Sequence, residues 1–150
     1  MADKRATVQK SIRIPGKTAR AIEELGAEAG LDFSAATNQL LEEAVRLRRC
    51  PGIAFTAGPS GRRATVAGTG LDVWEIVATY LSLGRDERRL REAYHWLMEP
   101  QVRAALAYYE LYPEEVDARL KRDRSLTAEV VARRHPALTA RPSRRSRRAR

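Results

Sequence analysis

The sequence predicts a mainly α protein in three parts. A strand–helix–helix unit that pairs with a copy of itself comes first. A small β-hairpin followed by helices comes second, and a basic tail without fixed structure of its own comes last. Three observations predict this. Residues 7–14 alternate with period two, whereas the stretches after them place apolar residues at helical spacing. Cys50-Pro51-Gly52 breaks the chain between residues 1–50 and 51–123. The charge of +9 is concentrated at one end: residues 1–123 hold 19 Lys and Arg against 18 Asp and Glu, and residues 124–150 hold nine Arg against Glu129.

Residues 1–6 are too polar for an element. In the strand, Val8, Ile12 and Ile14 share one face and Gln9, Ser11 and Arg13 the other, with Lys10 on the apolar side. Pro15 ends it and suits the start of a helix. That helix runs to about Ala29 with Ile22, Leu25 and Ala29 aligned, and Gly30 suits its terminus. Asp32 or Ser34 can cap the next helix, which continues to about Arg49. Its inward stripe is Ala36, Leu40, Ala44 and Leu47, widened by Leu41 and Val45. Glu42 and Glu43 are expected on the wet side, with Glu42 able to meet Arg46.

Fifty residues of this kind bury too little apolar surface for a stable monomer, and a lone strand has unpaired edges. An obligate homodimer with a shared core resolves both problems. Two such strands would form a ribbon with one apolar and one polar face, of a width that fits the DNA major groove.

The strand Val8-Gln-Lys-Ser-Ile-Arg-Ile-Pro15, the turn Gly30-Leu-Asp-Phe-Ser34 and the helical string Asn38-Gln-Leu-Leu-Glu-Glu-Ala44 resemble the ribbon-helix-helix repressors of the MetJ/Arc/CopG type. The resemblance implies that Gln9, Ser11 and Arg13 read bases in double-stranded DNA. The chemistry agrees, since Arg suits guanine, Gln suits adenine and Ser is tolerant. It also implies a phosphate at the amino end of the second helix, at Phe33 and Ser34, where backbone N–H groups suit an anion. Lys10 and Lys17 complete the expected phosphate contacts.

In residues 51–123, Ile53-Ala-Phe55 and Arg63-Ala-Thr-Val-Ala67, joined by Gly58-Pro-Ser-Gly61, read as a hairpin. A helix is expected from about Leu71 to Leu83, stopped by Gly84. Another follows a cap at Asp86, with Leu90, Ala93, Tyr94 and Leu97 inward. A third begins near Pro100 with Val102, Ala105, Leu106 and Tyr109 inward. Pro113 interrupts it, and a last helix reaches about Arg122. The pair over 86–111 is helix-turn-helix-like. All seven Trp and Tyr residues lie between Trp74 and Tyr112, at spacing that fits core packing better than base stacking.

The strings Gly61-Arg-Arg-Ala64, Ala67-Gly-Thr-Gly-Leu-Asp-Val-Trp-Glu-Ile-Val77, Ala104-Ala-Leu-Ala-Tyr-Tyr109 and Tyr112-Pro-Glu-Glu115 resemble the domain-of-unknown-function family 433, whose members are described as VapB-type antitoxin-like. That resemblance implies a protein partner, a PIN-like ribonuclease toxin encoded alongside.

Residues 124–150 have the composition of a disordered segment, with a short apolar stretch at Leu126, Val130 and Val131. A PIN-type site is a cluster of carboxylates holding a divalent metal. An inserted arginine would pair with those carboxylates. The expected toxin contacts are Arg133, Arg134, Arg141, Arg144 and Arg145.

An enzyme is not expected, because no carboxylate, histidine or nucleophile constellation has a recognisable spacing. One cysteine and the isolated His95 and His135 suggest neither a metal nor a cofactor. No apolar run is long enough for a bilayer and no signal-peptide core is present, so a cytoplasmic protein without membrane contact is expected. The combined expectation is an antitoxin of a type II toxin–antitoxin pair. It would bind operator DNA as a dimer, repress its own operon and neutralise the toxin. The alternative is a ribbon-helix-helix transcriptional regulator without a toxin partner.

Overall fold

A computed structural model of the chain describes residues 7–58 and 61–125. Among them are six helices and one two-stranded antiparallel sheet. The chain divides into two compact units, one through Arg49 and one from Cys50.

The first unit is α1 (Gly16–Ala29) packed on α2 (Phe33–Arg49). Gly30 at φ +69° closes α1. Its N–H donates to the Ala27 carbonyl, and the Leu31 N–H donates to the Gly26 carbonyl at 2.8 Å. Gly26 is where the helices meet. A Cβ there would lie 3.1 Å from the Ala36 Cβ and 3.0 Å from the Leu31 carbonyl oxygen. Asp32, the first of the two expected caps, opens α2: its Oδ1 accepts from the Ala35 N–H at 2.8 Å.

Three expectations for this unit are corrected. Residues 7–15 form no ladder within the single chain. The alternating pattern is there, but a strand needs a neighbour for its N–H and C=O groups. The α2 stripe is only partly inward: Ala36 is buried and Leu40 half-buried, but Ala44 and Leu47 are exposed. Glu43, expected in water, is buried and accepts from the Gln39 side chain at 3.4 Å. Glu42 does meet Arg46, at 3.7 Å.

The second unit begins with β1 (Ile53–Gly58) and β2 (Gly61–Val66), registered from Ile53↔Val66 to Gly58↔Gly61. Ile53, Ala64 and Val66 point into the core. Then come α3 (Val73–Ser82), α4 (Glu87–Ala93), α5 (Glu99–Leu111) and α6 (Pro113–Ser125). α5 is central, packing on both strands, α3 and α6. It buries Val102, Ala104, Ala105, Leu106 and Tyr108. α3 contributes Val73, Ile76 and Val77, α4 contributes Leu90, and α6 contributes Val116 and Leu120.

Several boundaries differ from those expected. α3 starts after Asp72, because Leu71 and Asp72 extend alongside β2. The Val66 N–H donates to the Leu71 carbonyl, and Thr65 bridges Asp72. Asp86 caps α4 as expected, its Oδ1 accepting from the Arg89 N–H. That bond holds the Asp86 carboxyl below its ordinary value of 3.8. α4 then stops at Ala93, which is exposed. Tyr94 and Leu97 pack half-buried in the turn that follows, and the Tyr94 hydroxyl lies 3.1 Å from Thr79 Oγ1 on α3. Pro113 does not merely interrupt the chain; it is the first residue of α6, where its missing N–H costs nothing.

Candidate nucleic-acid interface

The residues singled out for DNA gather at the start of the first unit. Gln9, Ser11 and Arg13 are all exposed, as are Lys10 and Lys17. So are the apolar partners in the same stretch: Val8 is 72% exposed and Ile12 is 66% exposed. Leu25 on α1 and Leu41, Val45 and Leu47 on α2 are exposed as well. Seven of the ten large apolar side chains exposed among the described residues therefore lie between Val8 and Leu47, the seventh being Phe33. A two-helix unit left like this has more apolar surface than it can cover by itself.

At the amino end of α2 the first-turn groups divide unevenly. The Asp32 carboxylate occupies the Ala35 N–H, and the Ala36 N–H is bonded to the Asp32 carbonyl. The Phe33 and Ser34 N–H groups remain for an anion, and both residues are exposed. A phosphate arriving there would share the helix end with a carboxylate. The tail residues Arg133, Arg134, Arg141, Arg144 and Arg145 lie outside the described residues.

In the helix-turn-helix-like pair, the side chains suited to a groove are Gln101 and Arg103. A recognition helix must present a free face to a groove. On α5 the exposed face carries Glu99, Arg103, Ala107 and Glu110, with Arg103 paired to Glu99 at 3.6 Å, and Gln101 is half-buried. The aromatics behave largely as core. Tyr108 is fully buried, and its ring meets Phe55 edge-on at 6.4 Å. The Tyr109 hydroxyl is held by Asp117, and burial followed by that carboxylate raises its pKa above the ordinary 10.0. Trp96 is the exception, largely exposed with Tyr94 and His95 against it.

Reading the sequence missed a polar cluster where the hairpin joins α3. Asp72 is buried between two partners. Its Oδ2 accepts from the Trp74 indole N–H at 2.9 Å, and its Oδ1 lies 3.0 Å from Arg63 Nε. The Arg63 N–H is not aligned for a hydrogen bond with Oδ1, so the contact is an ion pair. The Asp72 N–H donates to Glu75 Oε2 at 2.8 Å, completing a capping box. Arg119 of α6 covers the other side of Trp74, 5.1 Å from the ring centre. The signal was present as Asp72-x-x-Glu75 ahead of an apolar run. Asp72→Ala would leave the indole donor without its acceptor and Arg63 without its carboxylate, while the backbone N–H of residue 72 keeps its bond to Glu75. Because Arg63 is partly exposed, its attraction is discounted. The expected loss is about 1–3 kcal/mol, measured by denaturant unfolding; a loss under ~0.5 kcal/mol would contradict the role given to the cluster.

Among the described residues no group of three or more His, Cys, Asp or Glu could hold a metal ion. No helix among them is long and apolar enough to cross a membrane. No curated protein and no solved structure matches the chain. One family does match: residues 53–109, from β1 to Tyr109 of α5, fit the family described as Protein of unknown function (DUF433).

Proposed function

We propose that the protein is a dimeric, sequence-specific DNA-binding antitoxin of ribbon-helix-helix type. In this reading two copies share the apolar side chains of α1 and α2. Residues 7–14 of both copies pair into a ribbon, and Gln9, Ser11 and Arg13 meet base edges in the major groove. The observation that carries the proposal is the exposed apolar set from Val8 to Leu47 in a unit that also presents those three polar side chains to solvent. Pairing the strands would bury Val8 and Ile12 and satisfy their backbone groups in one step. Lys10, Lys17 and the Phe33–Ser34 end of α2 would hold phosphates and set the register without reading sequence.

The test is binding to the DNA upstream of the protein's own gene, where an autorepressor acts. Arg13→Ala removes one base contact and should weaken operator binding by about 1–3 kcal/mol, roughly 5- to 150-fold, with little change on unrelated DNA. Unchanged operator affinity would overturn the assignment of Arg13.

The antitoxin half of the proposal rests on the charge of residues 124–150 and on the resemblance of the second unit. Arginines from this segment would pair with the metal-holding carboxylates of a PIN-like ribonuclease. Ending the chain at Pro136 is expected to abolish neutralisation of that nuclease while leaving operator binding within about threefold. Full neutralisation by the truncated chain would remove the tail beyond Pro136 from the mechanism. It would leave Arg133 and Arg134 as the candidates still to be tested.

A further inference from the structure

The small sheet of the second unit has one closed edge and one open edge. Along β2 the chain closes the edge itself, through the Val66 N–H on the Leu71 carbonyl and the Thr65–Asp72 bridge. Along β1 nothing comparable occurs among the described residues. The Ala67 N–H donates to the Gly52 carbonyl, just outside the ladder. Bonded pairs alternate along an antiparallel ladder, so Ala54, Thr56 and Gly58 face β2. Ile53, Phe55 and Ala57 therefore turn their backbone groups outward. The Ile53 N–H is used by the Cys50 carbonyl at 3.2 Å. Left over are the Phe55 and Ala57 donors and the three carbonyls.

Natural edge strands are usually protected by charge, proline or a bulge. β1 reads Ile-Ala-Phe-Thr-Ala-Gly, with no charged residue, no proline and an unbroken register. The Phe55 side chain is only half-buried. We propose that the open edge of β1 pairs antiparallel with β1 of a second copy, joining two hairpins into one four-stranded sheet. Centred on Phe55, this pairing is self-complementary. The two Phe55 residues exchange both bonds, and each Ala57 N–H reaches the Ile53 carbonyl opposite. Every leftover donor then has an acceptor, and the half-buried Phe55 rings come together across the axis.

A second copy is the occupant because the pairing needs the same uncharged strand on both sides. In addition, β1 starts close in sequence to the unit proposed to dimerise. Only Cys50, Pro51 and Gly52 separate α2 from Ile53. Dimerisation there would hold two β1 strands at high effective concentration. The inference thus rests on the dimer reading of the first unit.

The experiment is amide hydrogen exchange on the full chain, with sedimentation to fix its oligomeric state. Outward N–H groups of an unpaired edge exchange rapidly. Those in a ladder are protected. In the dimer, Phe55 and Ala57 should exchange on the order of 100-fold more slowly than unstructured amides. Ala57→Pro removes an outward N–H and no β1–β2 bond. It should return Phe55 to fast exchange while Thr56 stays protected. A dimer with fast exchange at Phe55 and Ala57 overturns this inference alone. Slow exchange that survives in a monomeric Leu41→Glu/Val45→Glu variant also overturns it, because the edge is then covered from within the chain. A wild-type monomer overturns the dimer reading and removes the second copy with it.

Discussion

Leu41→Glu combined with Val45→Glu is expected to convert the protein from dimer to monomer and to abolish operator binding. Both positions lie on α2, one turn apart, and each is about half exposed in the single chain: 53% for Leu41 and 50% for Val45. If the chain worked alone, glutamate there could keep its carboxylate in water. Exposed substitutions of that kind change stability by about 0.5 kcal/mol or less. In a shared core the consequence is opposite. Each copy would lose about 1.5–3 kcal/mol of burial per side chain and would have to desolvate two carboxylates against apolar neighbours. The ribbon cannot form without the dimer, so DNA affinity should fall more than ~100-fold even though Gln9, Ser11 and Arg13 are untouched. Sedimentation and a gel-shift titration read the two effects. The second unit serves as an internal control for folding, since its buried residues lie elsewhere and it should keep a cooperative unfolding transition. A variant that stayed dimeric and bound the operator would remove the first unit as the dimerisation element.

That prediction depends on residues whose role was legible only in part. Helix ends were readable because their chemistry is local: Gly30 adopts the left-handed conformation and Asp86 caps with its own side chain. What depends on a partner was not resolvable within one chain. The period of residues 7–14 is that of a strand, but no ladder forms there within the single chain, and under the proposed reading a second copy would supply it. Glu43 was assigned to water because it adjoins Glu42, yet the α2 surface curves so that one is buried and the other is not. Around α5 the stripe argument found Val102, Ala105 and Leu106 but missed Ala104 and Tyr108. A helix packed on two strands and two other helices buries a wide arc and leaves a narrow wet face at Glu99, Arg103, Ala107 and Glu110, so spacing selected the half-buried Tyr109, whereas Tyr108 is the residue wholly enclosed. The Arg63–Asp72 pair was hidden because it depends on hairpin register. Once Thr65 sits opposite Ala54 and bridges Asp72, Arg63 falls on the same face as that carboxylate.

Tyr108→Ala is expected to be the most damaging single substitution in the second unit. Tyr108 is 0% exposed and lies where the helices meet the hairpin. Its ring contacts Phe55 on β1 edge-on and lies 4.9 Å from the ring of Tyr112, and its hydroxyl donates to Glu115 Oε1 at 2.9 Å on α6. One side chain therefore ties β1, α5 and α6 together. Truncating a buried aromatic costs about 3–5 kcal/mol, combining lost transfer energy with a cavity. Domain stabilities are about 5–15 kcal/mol, so this is a large share. Tyr108→Phe separates the contributions. It keeps the ring and the Phe55 contact, and it releases Glu115, an exposed residue, to water. Its cost should be about 1.5–2 kcal/mol, the low end of the range for a hydrogen bond to a charged group, because Glu115 is exposed. Denaturant unfolding of both variants gives the comparison, with the slope checked for constancy. The ratio matters more than either value: a severe alanine and a mild phenylalanine mean that packing of the ring joins hairpin to helices. Equal losses would instead make the Glu115 hydrogen bond the dominant tie, and the unit would then depend on a polar contact at its rim rather than on its centre.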